Sequence, residues 1–170
     1  MKDYDLEIRV VKQKIADAHA LLSQLETERK NYLMQLERRK AFLSSREILD
    51  ILETKAGRAG SMATVKRWAD QGYLGDWIDE RETFPLLVSK QGNKRFLFPR
   101  ESVLTYLYKK GYLRPSYEVL DRVQLTGNST CCWGIITSVE RSDQHFTYQV
   151  QLEKTGEVLL SVSEEELLIP

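Results

Sequence analysis

SSREILDIL (44–52), SMATVKRWADQGYLGDW (61–77) and KQGNKRFLFPRESVLTYLYKKG (90–111) are pieces of one stretch, Ser44 to Gly111, and their order decides the fold. Ser44 followed three residues later by Glu47 is a capping-box signature, with hydroxyl and carboxylate each accepting from the other's backbone N–H. Ile48, Leu49, Ile51 and Leu52 add an apolar face, so the spacing predicts a helix over about 44–54. Gly57 and Gly60 break the chain after it. Ser61 is placed as the N-cap of a second helix, which Gly72 closes. On that helix Val65, Trp68 and Ala69 recur at i, i+3 and i+4 and face a core, which leaves Met62, Thr64, Lys66 and Arg67 outward.

Two short helices joined by a glycine-containing turn are either a plain helical hairpin or a helix-turn-helix whose second helix enters a major groove. Residues 84–111 favour the second reading. FPLLVSK (84–90) and KRFLFP (94–99) read as two strands around Gln91, Gly92 and Asn93, a basic hairpin tipped by Lys90, Lys94 and Arg95. Pro99 then opens a helix, RESVLTYLYKK, that Gly111 closes. The expected contacts are Ser61, Thr64, Lys66 and Arg67 to base edges and phosphates, with Lys90, Asn93, Lys94 and Arg95 anchoring a wing on the backbone.

In this order the pieces S-R-E, T-V-K-R-W-x-x-x-G-Y-L, a basic hairpin and F-P-R-E-x-V-x-x-Y-L resemble the winged helix-turn-helix of MerR-type regulators and phage excisionases. The resemblance covers about 44–110 and implies DNA binding through the second helix and the wing. Two links depart from it: the connection Lys55–Gly60 is extended, and Gly75–Thr83 is long and acidic. The effector-sensing half of that family has no counterpart, so no metal or drug sensing is carried over.

Residues 3–43 hold no Gly or Pro and are rich in helix formers. Ile8, Val11, Ile15, Ala18, Leu22, Leu25, Tyr32 and Leu36 fall at alternating three- and four-residue spacing, the heptad seam of a coiled coil. Arg29 and Arg39 also fall on the seam and weaken it toward its end. Ile at the first two a positions favours a parallel dimer, and an antiparallel pairing fits the same seam. From Tyr117 onward YEVLDRVQL, CWGIITSVE, FTYQVQLE and EVLLSVS read as four short strands, with SEEELLIP as a turn or last strand. This tail resembles the small Src-homology-3-like barrels of the Tudor and KOW kind, many of which open Y-x-x-G-D-x-V; here Leu120 stands in place of that glycine. Such barrels bind varied partners, so a protein partner of the tail is an expectation of the resemblance alone.

The expected fold class is thus α+β in three parts: a coiled-coil helix at 1–43, a winged helix-turn-helix at 44–114 and a small β-barrel at 115–170. Charge supports the division. Net charge is zero over the whole chain, yet the first part carries +2, the middle +4 and the tail −6, so only the middle suits phosphate. No apolar run approaches the roughly 18 residues of a membrane span, and MKDYDLEIRV lacks a signal-peptide core, so a cytoplasmic, nucleoid-associated location is expected. Adjacent Cys131 and Cys132 suit neither a disulfide nor a zinc site. His19 and His145 lack ligand-spaced neighbours, and no phosphate-binding glycine motif is present. The sequence therefore points to no enzyme, cofactor or metal. It predicts a homodimeric, sequence-specific double-stranded DNA-binding regulator, or mobile-element accessory factor, with recognition helices in successive major grooves. The competing expectation is a protein-interaction scaffold in which winged helix and barrel dock proteins without reading DNA.

Overall fold

The computed structural model describes residues 3–87, 94–126 and 132–168. Its elements, in chain order, begin with a 36-residue helix, α1, Tyr4–Arg39. Asp3 caps it by accepting from the Leu6 N–H at 3.1 Å, and Asp5, Glu7 and Arg38, Arg39 place acids and bases at the ends the helix dipole favours. No residue of α1 is buried. An isolated helix of this kind gains nothing from packing, which makes its apolar stripe the main unexplained surface of the molecule.

The helix ends earlier than its glycine-free composition suggests, because Phe42–Ser44 is a strand, β1. Leu43 is buried there and pairs with Phe98, 55 residues away, a contact no local pattern announces. Ser44 ends β1 and caps α2, Ser45–Ala56, with the capping box to Glu47 formed. Gly57 closes α2 at φ 60°, a left-handed conformation that suits glycine. Next come α3, Met62–Asp70, β2, Ile78–Asp79, and the single turn α4, Glu80–Thr83. Then comes β3, Phe96–Pro99, and α5, Arg100–Lys109, starts directly after Pro99.

The hairpin forms differently from its sequence-based reading. β3 lies centrally in a three-stranded antiparallel sheet of order β1-β3-β2, and its hairpin-side partner is Ile78–Asp79. The expected strand 84–90 does not begin at Phe84: Phe84 is fully buried after α4 and Pro85–Leu87 form a turn, and residues 88–90 lie outside the described residues. Asp79 diverts the chain by capping α4 through Arg81 N–H, so the acidic link ends in a helical turn rather than in a loop. Lys90 and Asn93, with Gln91 and Gly92, lie outside the described residues.

The tail forms a curled five-stranded antiparallel sheet of order β7-β6-β5-β4-β8. Its strands are β4, Arg122–Leu125, β5, Cys132–Ser142, β6, His145–Leu152, β7, Val158–Ser163, and β8, Leu167–Leu168. A 3-10 turn, Glu164–Glu166, separates the last two. Register shifts at Ile136/Ser138 and Tyr148/Val150 bend the long strands, as bulges do. Gly134 permits the tightest approach in the sheet, since a Cβ there would lie 2.5 Å from Val150 Cγ1 and 2.9 Å from the Gln151 carbonyl oxygen. Residues 117–121, expected as strand, form a turn instead: Glu118 N–H donates to Asp121, and Leu120 sits at φ 79°. Buried residues of the helical part and of the sheet, from Leu43 and Val65 to Tyr148 and Val162, belong to one apolar cluster.

Candidate nucleic-acid interface

The second helix of the pair, α3, is fixed from both sides. Val65 and Trp68 are buried, and the Trp68 ring meets Tyr106 edge-on at 5.3 Å and Tyr112 at 5.8 Å. At its start the Ser61 hydroxyl accepts from Thr64 N–H at 3.2 Å and lies 3.0 Å from the Thr64 hydroxyl. Two of the four residues expected to meet DNA on this helix are therefore engaged with each other in the cap. The other two, Lys66 and Arg67, are exposed and form no ion pair with any described residue. One step along the helix from Val65 and one before Trp68, they stand on the turn whose inward face is most firmly packed.

Of the wing candidates, Lys94 and Arg95 lead into β3 and are both exposed. The Arg95 carbonyl accepts from Glu80 N–H at 2.9 Å, which fixes the backbone at the position where the basic segment meets the sheet. Its guanidinium remains 70% exposed and approaches Glu80 only to 3.8 Å.

Beneath them lies a charged clasp that no sequence pattern announces. Arg39, in the last turn of α1, donates from Nε to Glu80 at 2.6 Å, from Nη2 to Glu47 at 2.9 Å and from Nη1 to the Phe42 carbonyl at 2.9 Å. Burial opposes its charge, yet the bonds to Glu80 and Glu47 outweigh that and raise its pKa. Burial likewise disfavours the Glu47 carboxylate, but the Ser44 N–H and Arg39 prevail and hold its pKa below the usual value. One arginine thus ties the long helix to the α2 cap and to the acidic link. The only sequence signal was a charge on an otherwise apolar seam.

The seam residues themselves, Ile8, Val11, Ile15, Leu22, Leu25, Tyr32 and Leu36, are all between 38 and 54% exposed along α1. On α5, Arg100 forms a two-bonded pair with Asp143 at 2.5 and 2.6 Å, and Arg141 bonds Glu101 and Thr105. Both are contacts of α5 with the β5–β6 hairpin, and no sequence pattern pointed to either. Within the sheet, the Tyr148 hydroxyl donates to Glu164 at 2.7 Å, and burial together with this bond raises the tyrosine's pKa.

Among the described residues no group of three or more His, Cys, Asp and Glu side chains is placed to hold a metal ion, and no helix is long and apolar enough to cross a membrane. No family model, curated protein or solved structure matches this chain.

Proposed function

We propose that the chain is a dimeric, sequence-specific double-stranded DNA-binding protein that acts as a transcriptional regulator or mobile-element accessory factor. The observation that carries this reading is the pair Lys66–Arg67, exposed and unneutralised on a helix whose cap and inner face are rigidly held. A side chain that reads a base edge needs that combination of free donors and a fixed base. The element order β1-α2-α3-β2-α4-β3-α5, with Lys94 and Arg95 leading into β3 after the single turn α4, supports a winged helix-turn-helix. In the tail, the order β7-β6-β5-β4-β8 with a 3-10 turn before the last strand supports a small Src-homology-3-like barrel, whose partner would be a protein.

In a protein-docking scaffold the acidic Asp76–Glu82 link would shield the groove-facing side. Two of its four carboxylates, Asp79 and Glu80, are instead buried and occupied with the α4 cap and the Arg39 clasp. The link is largely structural, which favours the DNA reading.

Gel retardation of genomic fragments at two salt concentrations tests it. Binding is expected at low salt and should weaken steeply as salt rises, as counterion release requires. Lys66→Ala with Arg67→Ala should abolish the retarded band while light scattering still reports the wild-type mass. Absence of any band from the wild type at low salt would end the DNA reading; normal binding by the double variant would put another element in the groove.

A further inference from the structure

The apolar stripe of α1 carries its own instructions for a partner. We infer that α1 pairs antiparallel with α1 of a second copy, in a register that seats the first turn of each helix in a cleft beside the other copy's head. This deepens the dimeric half of the proposed function and does not depend on the DNA half.

Charge selects the direction. The positions flanking the seam are Asp5, Lys12, His19, Glu26 and Leu33 on one side, and Glu7, Lys14, Leu21, Glu28 and Gln35 on the other. In a parallel, in-register pair only Glu7 and Lys12 attract across the interface; Lys14 faces His19, Leu21 faces Glu26, and Arg29 meets its own copy in the core. Reversing one helix so that Tyr4 faces Leu36 of the second copy changes each of these. Ile8 then faces Tyr32, Ile15 faces Leu25 and Ala18 faces Leu22, so the exposed apolar seam is matched along its length. Arg29 faces Val11 instead of another arginine. Lys12 comes opposite Glu26 and Lys14 opposite Glu28, twice each by symmetry, while Leu21 meets Leu21 at the two-fold axis.

The head supplies the second argument. The seam does not end in open solvent: Tyr32, Leu36, Phe42 and Leu87 line a cleft of about 400 Å³, whose charged rim carries Glu47 as well as Arg39, Lys40 and Arg100. The segment that overhangs it is tied to α1, since Leu86 N–H donates to Gln35 at 3.0 Å. In a parallel pair each head would overhang the seam at the level where the other head also stands. In the antiparallel register a bare helical turn arrives there, with Tyr4 and Ile8 for the apolar wall. The two heads leave the rod at opposite ends, about 54 Å apart at 1.5 Å per residue over 36 residues. Half-site spacing is then set by the length of α1 and not by a head-to-head contact.

Two measurements on the full chain test the pairing. With Cys131→Ser and Cys132→Ser as background, a spin label at Arg9→Cys should report two labels offset by about 33 Å along the rod, from 22 residues at 1.5 Å each. A distance of about 20 Å or less in an intact dimer would establish parallel pairing and refute the register, leaving the dimer reading standing. A monomeric mass would refute both. Separately, Lys12→Glu with Lys14→Glu should weaken the dimer tenfold or more, and adding Glu26→Lys with Glu28→Lys in the same chain should restore it. No loss, or loss without restoration, overturns the proposed contacts. A failure of gel retardation touches neither result.

Discussion

Replacing Arg39 by Met is expected to cost more than any other single exchange on the molecule's charged surfaces. Arg39 and Glu80 are 17% and 7% exposed, and Glu80 Oε2 already lacks a hydrogen-bond partner among the described residues, with Arg95 no nearer than 3.8 Å. Removing the guanidinium leaves a buried carboxylate without its one direct donor, a change worth about 3–5 kcal/mol. Glu47 loses far less, because it is 44% exposed and keeps the capping bond to Ser44 N–H at 2.7 Å. With a urea dependence of about 1–3 kcal/mol/M, the unfolding midpoint should drop by roughly 1–5 M. Fluorescence of the buried Trp68 gives the assay. The companion variant, Arg39→Met with Glu80→Leu, removes both charges and should recover most of the loss, since apolar groups of like volume replace a buried pair at little net cost. A single variant within about 1 kcal/mol of wild type, or a double variant as unstable as the single, would refute the clasp as the tie between α1 and the head.

Two further outcomes are expected. Leu120→Gly should stabilise the protein by up to about 1 kcal/mol: Leu120 is 79% exposed at φ 79°, a conformation that costs an L-residue about 1–2 kcal/mol, and glycine's chain entropy takes back about 0.5–1. Leu120→Ala, which keeps the Cβ, should show no such gain in thermal unfolding; an equal gain would assign the effect to lost apolar exposure instead. Asp143 has its pKa lowered, chiefly by its hydrogen bonds from Arg100, so the pair's stabilisation is present above the ordinary value near 3.8 and is lost as pH falls through the depressed one. Asp143→Asn should therefore be less stable than wild type at pH 7, with the gap closing as the pH falls through the depressed value, measured as urea midpoints; a gap that stays constant as the pH is lowered would show that the ion pair is not its cause.

What could be read in advance divides by sequence distance. The caps at Ser44 and Ser61 are written in four residues each and formed as expected, as did the long helix, whose signal repeats along all 36 residues. β1 was missed because three residues have no period of their own, and its partner Leu97–Pro99 lies more than 50 residues on. The start of FPLLVSK was misplaced for a related reason: the apolar Phe84 is buried outside any strand, which periodicity cannot distinguish from a half-buried strand residue. Leu120 is the instructive middle case. Tyr117, Asp121 and Val123 match the sequence pattern, and in the curled sheet the tyrosine hydroxyl donates to the Leu167 carbonyl and Val123 is fully buried. The one position that departs from the pattern adopts the glycine-like conformation all the same.

The acidic tail also bears on which basic residues remain for the DNA proposed above. Of the cations between Ser44 and Arg114, Arg100 is taken by Asp143, and Glu101 beside it is taken by Arg141. The Tyr108 ring leans on Phe146 at 6.0 Å in the same contact. The helix that carries the Pro-Arg-Glu signature thus holds the sheet, through a pair of reciprocal charges and an aromatic contact. Ser116 N–H strengthens the junction by lying within reach of both Tyr148 Oη and Glu164. Cutting the chain near residue 115 would accordingly expose Arg100 and open a continuous apolar cluster, so a truncated head would gain a cation that the full chain does not offer. Stronger binding to DNA by such a fragment would report that uncovered charge, not an inhibitory role for the sheet. Asp143→Asn separates the two, because it frees Arg100 while leaving the sheet in place.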